Sequence, residues 1–493
     1  MITEILKELE EQTNIRANLI SLKEQLTSED CKDQVLQWEE QTGFLRSFLT
    51  HEDPKVRKNA ALILGAVEDE SALDELFTAY EKEDKLFVKS SYLSAMQTFD
   101  CAKYSDQLHE RYEKLCKGEW SEEESKHILA EQKAMEKLIQ KLDGVTRHKF
   151  AGWKEDSEVI LTTNAGYRDV TADRIHSADP VLIPAGVKVK GADIRELIEI
   201  RTYREMLFMT NASRHIPDDP DKIANELIAS GILEQIESLH EGEPPYYFRI
   251  EKKKKLPTEK TGEFIHHLAN CLEKKSGRKL INSTDNYEIE IRLNRNKNGT
   301  IFPCLKLYTI PMKRFAYRKH SIAASIHPAT AALLMELAKP YLKPDAQVID
   351  PFCGVGTMLV ERNMLVPAGD MYGTDIFGEA ITGARENAEA ADMTINYIQR
   401  NFFDFTHDYL FDEIVTNMPA RGKKSKEEQD RLYSRFFEKA AEILKPGAVV
   451  VMYSNEMGFI KKQLRLNRDF VMKKEFCIRA KEGYCLFIIG YKG

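Results

Sequence analysis

Asp350-Pro-Phe-Cys-Gly-Val-Gly-Thr357 decides the fold of the second half of the chain. The segment follows a short apolar run and opens onto Met358-Leu-Val-Glu361, which is the order of a strand, a glycine-rich turn and a helix. Gly354 and Gly356 have no Cβ, so a ligand can lie close to the backbone of this loop. A dinucleotide site needs a third small residue where this chain has Leu359. The loop therefore favours S-adenosylmethionine over NAD.

Strand and helix patterns alternate from residue 330 to the end of the chain. The expected strands are 347–350, 371–375, 395–398, 413–417, 448–454, 470–478 and 483–491. Repeated strand–helix units predict a parallel, doubly wound sheet, whereas the short turn at 479–482 makes the last two strands antiparallel. Class I methyltransferases have this arrangement. We therefore expect an α/β Rossmann-like methyltransferase domain over residues 321–493.

Ligand contacts in such a sheet come from the carboxyl ends of the strands. Asp375 ends the second strand, where its carboxylate can accept both ribose hydroxyls, or alternatively cap the next helix. After the third strand, Asn401 stands where an acidic residue commonly meets the adenine amino group, and Phe402 lies along the adenine face or in the core. The predicted cofactor-binding residues are Asp350, Phe352, Gly354, Gly356, Thr357, Asp375, Ile376, Asn401, Phe402 and Asn417.

The fourth strand ends in Asn417-Met418-Pro419-Ala420. Methylation of an exocyclic amine requires its lone pair to be freed from the ring and aimed at the sulfonium methyl group. The Asn417 amide oxygen and a backbone carbonyl near Met418, held by Pro419, can accept the two amine hydrogens. These three residues are the predicted catalytic set. Ala420 replaces the aromatic residue that usually stacks on the target base, so either Phe402 or Tyr433 stacks instead or the loop reshapes around RNA. A plain turn at the end of the sheet is the alternative.

Charge is unevenly distributed along a chain whose net charge is −8. Residues 1–150 contain 31 acidic and 21 basic side chains, whereas residues 242–320 contain 18 basic and 8 acidic ones. A basic segment in an acidic protein indicates either a polyanion-binding surface or a solvated lysine-rich surface.

The eight cysteines are scattered, without a C-x-x-C pair or a His/Cys cluster in sequence. This distribution favours reduced thiols and argues against a disulfide framework and against a metal site. No run approaches the roughly 18 apolar residues of a membrane span. The first ten residues are acidic and amphipathic, unlike a secretory signal. We expect a soluble cytoplasmic protein with no metal and no membrane association.

Residues 1–148 have helical patterns throughout. Asp53–Gly65 has a proline near its start and a glycine at its end, as a helix would. The segment from 56 to 67 is echoed from 88 to 99, an offset of 32 residues, and such a period predicts stacked helix pairs. The pattern D-P-x-V-R-x-x-A-A-x-x-L-G resembles a HEAT repeat, with an ordinary helical bundle as the alternative. Either would be an interaction or spacer module for a protein partner.

Residues 155–320 alternate strands and helices, which predicts two small α+β layers. Two of the helices are expected at 169–176 and 193–206. The second of these has Leu and Ile at alternating positions.

Residues 155–493 resemble the THUMP-domain RNA methyltransferases, especially those that form N2-methylguanosine. Asp350–Thr357 matches the cofactor motif of that family, and 159–166 is similar to its ferredoxin-like segment. Segments 247–255 and 302–308 lie where a THUMP module would. Phe315-Ala-Tyr-Arg318 and the residues after it resemble the passage into the catalytic domain.

The resemblance implies that the middle region captures a structured tRNA or rRNA and presents one guanine for methylation at N2. The flipped guanine costs a few kcal/mol to extrude. Basic side chains of the middle region are expected to contact phosphates, namely Arg249, Lys252, Lys253, Lys254, Lys255, Arg314 and Arg318. A non-catalytic scaffold or RNA maturation factor that binds S-adenosylmethionine and RNA is the alternative, and methylation of DNA or a small amine is a third.

Overall fold

The structure is a computed structural model that describes residues 2–118, 120–143, 148–252 and 258–493. The chain divides into two compact units, Met1–Arg147 and His148–Gly493. Among the described helices, none combines the length and the apolar character that crossing a membrane requires.

The first unit consists of helices, as expected. They are α1 (Ile2–Glu10), α2 (Ile15–Gln25), α3 (Glu29–Thr42), α4 (Phe44–Ser47), α5 (Pro54–Ala66), α6 (Leu73–Lys82), α7 (Leu86–Met96), α8 (Ser105–Lys117) and α9 (Glu122–Asp143).

Helices α5 and α7 contain the two segments that echo each other in the sequence. The Asp53 carboxylate accepts from the backbone N–H of Lys55 and so caps α5, with Pro54 in its first turn. Gly65 lies inside the helix, one residue before its end. A Cβ built on Gly65 would lie 2.6 Å from the Cα of Ala95 in α7. The glycine therefore permits the close approach of two helices, rather than ending one.

The second unit begins with a mixed region. Its elements are β1 (Lys149–Phe150), β2 (Glu158–Thr162), α10 (Arg168–Ala172), β3 (Val181–Ile183), β4 (Gly186–Lys190), α11 (Ile194–Glu199), β5 (Glu205–Met209), α12 (Pro220–Ala229), α13 (Ile232–Ser238), β6 (His240–Glu241), β7 (Tyr246–Lys252), α14 (Thr258–Lys275), β8 (Leu280–Asn282), β9 (Ile289–Arg295) and β10 (Ile301–Leu307).

One eight-stranded sheet, in the order β3-β4-β2-β5-β10-β9-β7-β8, replaces the two layers that the sequence predicts. Strand β5 joins its halves by pairing with both β2 and β10. The expected helix through residue 206 is wrong, because the helix ends at Glu199 and β5 follows. Met206 and Phe208 enter one core and Leu207 and Met209 the other, so the strand is apolar on both faces and lacks visible alternation.

The remainder of the second unit is an α/β domain. Its elements are α15 (Pro328–Ala338), β11 (Val348–Asp350), α16 (Thr357–Leu365), β12 (Met371–Asp375), α17 (Gly378–Ala390), β13 (Asn396–Gln399), β14 (Phe411–Asn417), α18 (Lys426–Ile443), β15 (Leu444–Ser454), α19 (Met457–Leu466), β16 (Phe470–Arg479) and β17 (Tyr484–Tyr491).

These strands form a seven-stranded sheet in the order β13-β12-β11-β14-β15-β17-β16. The first five are parallel, and β17 runs antiparallel to both β15 and β16, which confirms the predicted hairpin. Separate apolar cores cover the two faces. The carboxyl ends of β11, β12 and β14 consequently meet at one edge of the sheet.

An ion pair joins the mixed region to helix α16 of the α/β domain. The Arg201 guanidinium contacts both carboxylate oxygens of Glu361, at 2.8 and 2.9 Å. Glu361 is buried and also accepts from the Tyr317 hydroxyl at 2.7 Å. Because α16 starts at the glycine loop, this contact braces the helix that the loop leads into.

Candidate cofactor and methyl-transfer site

Asp350 ends β11 beneath the glycine loop. Its side chain is buried, and Oδ1 accepts from the Thr416 hydroxyl at 2.7 Å and from the Phe352 backbone N–H at 3.1 Å. Burial raises the pKa of Asp350 to about 7, and the negative charge of Asp375 acts in the same direction, whereas the two hydrogen bonds lower it. The carboxyl group therefore titrates near neutral pH while it connects the loop to β14.

The two glycines of the loop leave space for different neighbours. Both have positive φ, 52° at Gly354 and 82° at Gly356. A Cβ on Gly354 would meet only Ile322, at 3.9 Å, so this glycine leaves open space for a ligand. A Cβ on Gly356 would lie 2.1 Å from the Tyr397 hydroxyl oxygen. Gly356 thus makes room for a buried tyrosine of β13 rather than for a ligand, which the sequence alone does not indicate.

Asp375 lies directly beside this loop. Its Oδ2 accepts from the Gly354 backbone N–H and its Oδ1 from the Phe377 backbone N–H, both at 3.0 Å. The carboxylate thus holds the turn before α17, whose N-cap residue is Phe377, and it also contacts the glycine loop. Its binding of ribose stays a prediction. Carboxylate oxygens have lone pairs left for ribose hydroxyls.

Large apolar side chains follow Asp375 on the surface. Ile376 is 59 % exposed and Phe377 is 66 % exposed. Exposed apolar groups next to the Asp375 carboxylate, which we predict to bind ribose, would suit an adenine ring. Phe377 is absent from the predicted set, since a lone aromatic residue before a helix usually signals core packing.

Thr357 begins α16 and completes the loop. Its hydroxyl is buried and has no hydrogen-bond partner among the described residues. The backbone N–H groups at the start of a helix attract a carboxylate. An unpaired hydroxyl at this position would fit the carboxylate of S-adenosylmethionine. The Asp375 carboxylate beside the loop would fit the ribose at the other end of that cofactor.

The residues that follow β13 provide fewer candidate cofactor contacts than the sequence predicts. Asn401 is exposed, and its Oδ1 accepts from the Phe403 backbone N–H at 3.2 Å. Phe402 is 1 % exposed and packs between Phe352 and Phe436. Of the two positions considered for Phe402, along the adenine face or in the core, the structure has the second, because its ring fills the core under the loop.

The Asn417–Ala420 tetrad is held at the end of β14. The Met418 backbone N–H donates to the Tyr453 carbonyl at 3.0 Å, and Gln429 Nε2 donates to the Pro419 carbonyl at 3.0 Å. Met418 is buried, whereas Asn417 is half-buried at the same sheet edge as Asp350 and Asp375. These two hydrogen bonds hold the backbone directly after Asn417, the residue expected to orient the amine.

Neither aromatic residue proposed to replace the missing stack can do so. Phe402 and Tyr433 are both buried, and the Tyr433 hydroxyl is bonded to Ser454. Tyr484, which the sequence did not single out, is half-buried at this edge of the sheet. It stacks on Tyr453 with ring centroids 5.1 Å apart, and Tyr453 pairs with Asn417 across the sheet.

Several basic residues predicted to contact RNA have partners inside the protein. The buried Arg314 guanidinium donates to the carbonyls of Ile200, Tyr203 and Arg204. Lys252 is buried with its Nζ 2.6 Å from Asp218. Both leave the set of RNA contacts, because their charges support the fold.

The other members of that set stay predictions. Arg249 is partly exposed but pairs with Glu290 at 2.6 Å, and Arg318 is half-buried. Lys253, Lys254 and Lys255 lie outside the described residues.

Two family models match the chain. Residues 316–482 match the RMKL-like methyltransferase domain, and residues 5–97 match HEAT repeats. The C-terminal domain is a class I methyltransferase domain. This assignment confirms the predicted class and agrees with S-adenosylmethionine as its cofactor, and the helical first unit carries the predicted HEAT repeats.

Curated proteins and solved structures that are similar to this chain include the following three. The tRNA (guanine(10)-N2)-dimethyltransferase of Methanothermobacter thermautotrophicus is 25 % identical over 31 % of this chain and 45 % of its own length. The U6 snRNA (guanine-N(2))-methyltransferase THUMPD2 of Bos taurus is 27 % identical over 31 % of this chain and 29 % of its own length. The crystal structure of TrmN from Thermus thermophilus matches 68 % of this chain and 100 % of its own, with 17 % identity and a TM-score of 0.50. The chain thus spans less than half the length of these curated relatives.

Proposed function

We propose that this protein transfers a methyl group from S-adenosylmethionine to N2 of a guanine in a structured RNA. The observation that carries the proposal is the meeting of Asp350, Asp375 and Asn417 at one sheet edge of a methyltransferase domain. The relatives named for guanine-N2 methylation of tRNA and U6 snRNA support the choice of base and of RNA.

The cofactor would lie on the loop between Asp350 and Thr357, and it supplies an electrophilic methyl group when bound. Asp375 would hold the ribose, and Ile376 with Phe377 would cover the adenine. Asn417 Oδ1 and the carbonyl after it would accept the two hydrogens of the guanine amine, which aims its lone pair at the methyl group. The N2–methyl bond would form as the sulfur–methyl bond breaks, and one proton of the amine would pass to solvent. S-adenosylhomocysteine and an RNA carrying N2-methylguanosine would be the products.

The mixed region would act as the RNA-capturing module, in the manner of the THUMP-domain family that the sequence resembles. A second contact surface follows the tetrad directly, where Arg421, Lys423 and Lys424 are all exposed. Cations at this position can hold the phosphates that flank the target nucleotide. The HEAT repeats would bind a protein partner, and eight cysteines scattered along the sequence suit a cytoplasmic setting.

Asn417→Ala tests the proposed chemistry directly. We expect methyl transfer to RNA to fall by about 100-fold or more, the usual effect of losing one preorganised hydrogen bond to the reacting group. Binding of S-adenosylhomocysteine should stay within about threefold of wild type, since Asp350, Asp375 and the loop are unchanged. Transfer of labelled methyl to total tRNA and calorimetric binding measure the two quantities.

Asn396→Ala is the matched control, because Asn396 is exposed at the start of β13, remote from the carboxyl edge. It should leave both quantities unchanged. Equal activity of the Asn417 variant and wild type would refute the proposed role. Cofactor binding by wild type without turnover on any RNA of the source organism would instead identify a non-catalytic cofactor- and RNA-binding scaffold.

A further inference from the structure

Three side chains from two helices, α12 and α14, converge on the surface of the mixed region. Asp221 lies in the first turn of α12, and His267 and Cys271 are four residues apart on one face of α14. Their ligand atoms all lie within 4.8 Å of one another. The sequence predicts no metal site, because Asp221 and His267 are 46 positions apart.

The distances within this trio suit one small cation. Asp221 Oδ2 lies 3.0 Å from His267 Nε2, Asp221 Oδ1 lies 3.3 Å from Cys271 Sγ, and Cys271 Sγ lies 3.7 Å from His267 Nε2. Tetrahedral zinc, with bonds of about 2.0 to 2.3 Å, separates its ligand atoms by about 3.3 to 3.7 Å. Each pair of side chains in the trio therefore has two donor atoms at close to this spacing. The two contacts of Asp221 use different carboxylate oxygens, so a cation would meet both oxygens or, after a turn of the carboxylate, one of them.

The helices that present these residues are held in place by their opposite faces. Ile223 and Leu227 of α12 enter the same core as Leu268 and Leu272 of α14. Asp221 and His267 remain exposed, with 59 % and 53 % of their side-chain surface accessible. Packing thus fixes the spacing of the donors, while solvent reaches the position that a fourth ligand would take.

We propose that Asp221, His267 and Cys271 form a binding site for a thiophilic divalent cation such as Zn²⁺. The donor set of one thiolate, one imidazole and one carboxylate is the set that zinc selects over magnesium or calcium. When the cation binds, a metal–sulfur bond forms, the S–H bond of Cys271 breaks, and its proton passes to solvent. A water molecule completes the coordination.

A cation at this site would clamp α12 to α14 at the surface. It would add a cross-link outside the apolar core of the mixed region, which we propose captures RNA, without touching the methyl-transfer site. Metal binding would therefore stabilise this region whether or not the chain methylates RNA.

Titration of the full chain with Co²⁺ tests the proposal, because a cobalt–thiolate bond produces an intense charge-transfer absorption. We expect one bound cobalt per chain with this absorption, displaced by Zn²⁺, and a higher melting temperature with either metal. Cys271→Ser should abolish the absorption. His267→Ala and Asp221→Asn should each weaken binding by about tenfold or more and remove the thermal shift.

The controls are close neighbours that do not belong to the trio. His266→Ala removes the adjacent exposed histidine, and Cys116→Ser removes another exposed thiol. Both should bind cobalt as wild type does. Since all three ligands are at least partly exposed, the melting temperature without metal should be similar in every variant. Absence of a thiolate absorption in wild type, or its persistence in Cys271→Ser, would overturn the proposal.

Discussion

Asp350 links two parts of the site through one carboxylate. Its hydrogen bonds reach the Phe352 backbone in the glycine loop and the Thr416 hydroxyl in β14, one residue before Asn417. The cofactor loop and the residue that we expect to orient the amine are thus held to the same buried group. Its protonation state should affect the stability of both.

The Asp350→Asn variant tests how much the buried, ionisable carboxyl group changes the free energy of unfolding with pH. The pKa of Asp350 is raised to about 7, so its contribution to stability is full below its unfolded pKa of about 4 and is lost as pH rises through about 7. The free energy of unfolding of wild type relative to the variant should therefore fall by a few kcal/mol between about pH 4 and pH 8. Urea denaturation of both proteins across this range measures it, and a difference independent of pH would contradict the raised pKa.

For single residues, the sequence predicts which ones lie at the ends of strands. It does not predict which of the candidate side chains are buried in the core. Asp350, Asp375 and Asn417 are predictable, because parallel strands bring their carboxyl ends together. Phe402 and Arg314 look like ligand contacts in sequence. Their burial depends on partners such as Phe436 and Tyr203, which no local pattern places next to them.

The glycine loop depends on the element beneath it. Tyr397 of β13 extends under the loop, where its ring and hydroxyl occupy the space that side chains at Gly356 and Gly373 would need. The loop shape is therefore set jointly by its own glycines and by a tyrosine two strands away.

Gly356→Ala should unfold the loop or expel the tyrosine. Positive φ costs a side chain roughly 1–2 kcal/mol, and overlap with Tyr397 should add about 1–3 kcal/mol. Gly447→Ala is the control, since φ is 83° there and no atom lies within 4 Å of the added Cβ. Urea denaturation should show the larger loss for Gly356→Ala, with weaker cofactor binding in that variant alone.

Tyr397→Phe should partly rescue Gly356→Ala, because it removes the oxygen that the new Cβ meets. Equal losses of stability in the two glycine variants would show that backbone strain, and not Tyr397, makes Gly356 necessary.

Elements are predicted best where their surroundings are simple. The seven strands of the α/β domain and its antiparallel hairpin follow from apolar runs and short turns. Strand β5 does not, because apolar residues on both of its faces give the same pattern as a buried helix.

The second unit works as a whole only if the mixed region and the α/β domain keep one arrangement. Arg201, Glu361 and Tyr317 supply a largely buried contact between them, and Arg174 pairs with Glu336 at 2.5 Å on the outside of the same interface. In the reaction that we propose, a nucleotide held by the mixed region could reach a methyl group on the α/β domain only if this interface is firm.

Arg201→Ala should destabilise this unit by about 3 kcal/mol, because it leaves the buried Glu361 carboxylate without its charged partner. Arg174→Ala removes an arginine that is 42 % exposed and should cost less than about 1 kcal/mol. Chemical denaturation distinguishes them. Similar small losses in both variants would show that the interface is held by its apolar contacts.

The order and type of the domains can be predicted from the sequence more completely than the residues that form the sites. Helical repeats, a mixed region and a methyltransferase sheet each have their own periodicity. No sequence pattern marks the trio of Asp221, His267 and Cys271, because its formation depends on how α12 packs against α14. Contacts between distant elements are the part that local patterns cannot supply.

Mass spectrometry of nucleosides from total RNA incubated with the purified chain and S-adenosylmethionine tests whether this protein methylates guanine at N2. We expect new N2-methylguanosine with the wild-type chain, and about 100-fold less with the Asn417→Ala variant. No new methylated guanosine with wild-type protein, or methyl groups found on adenosine instead, would contradict it.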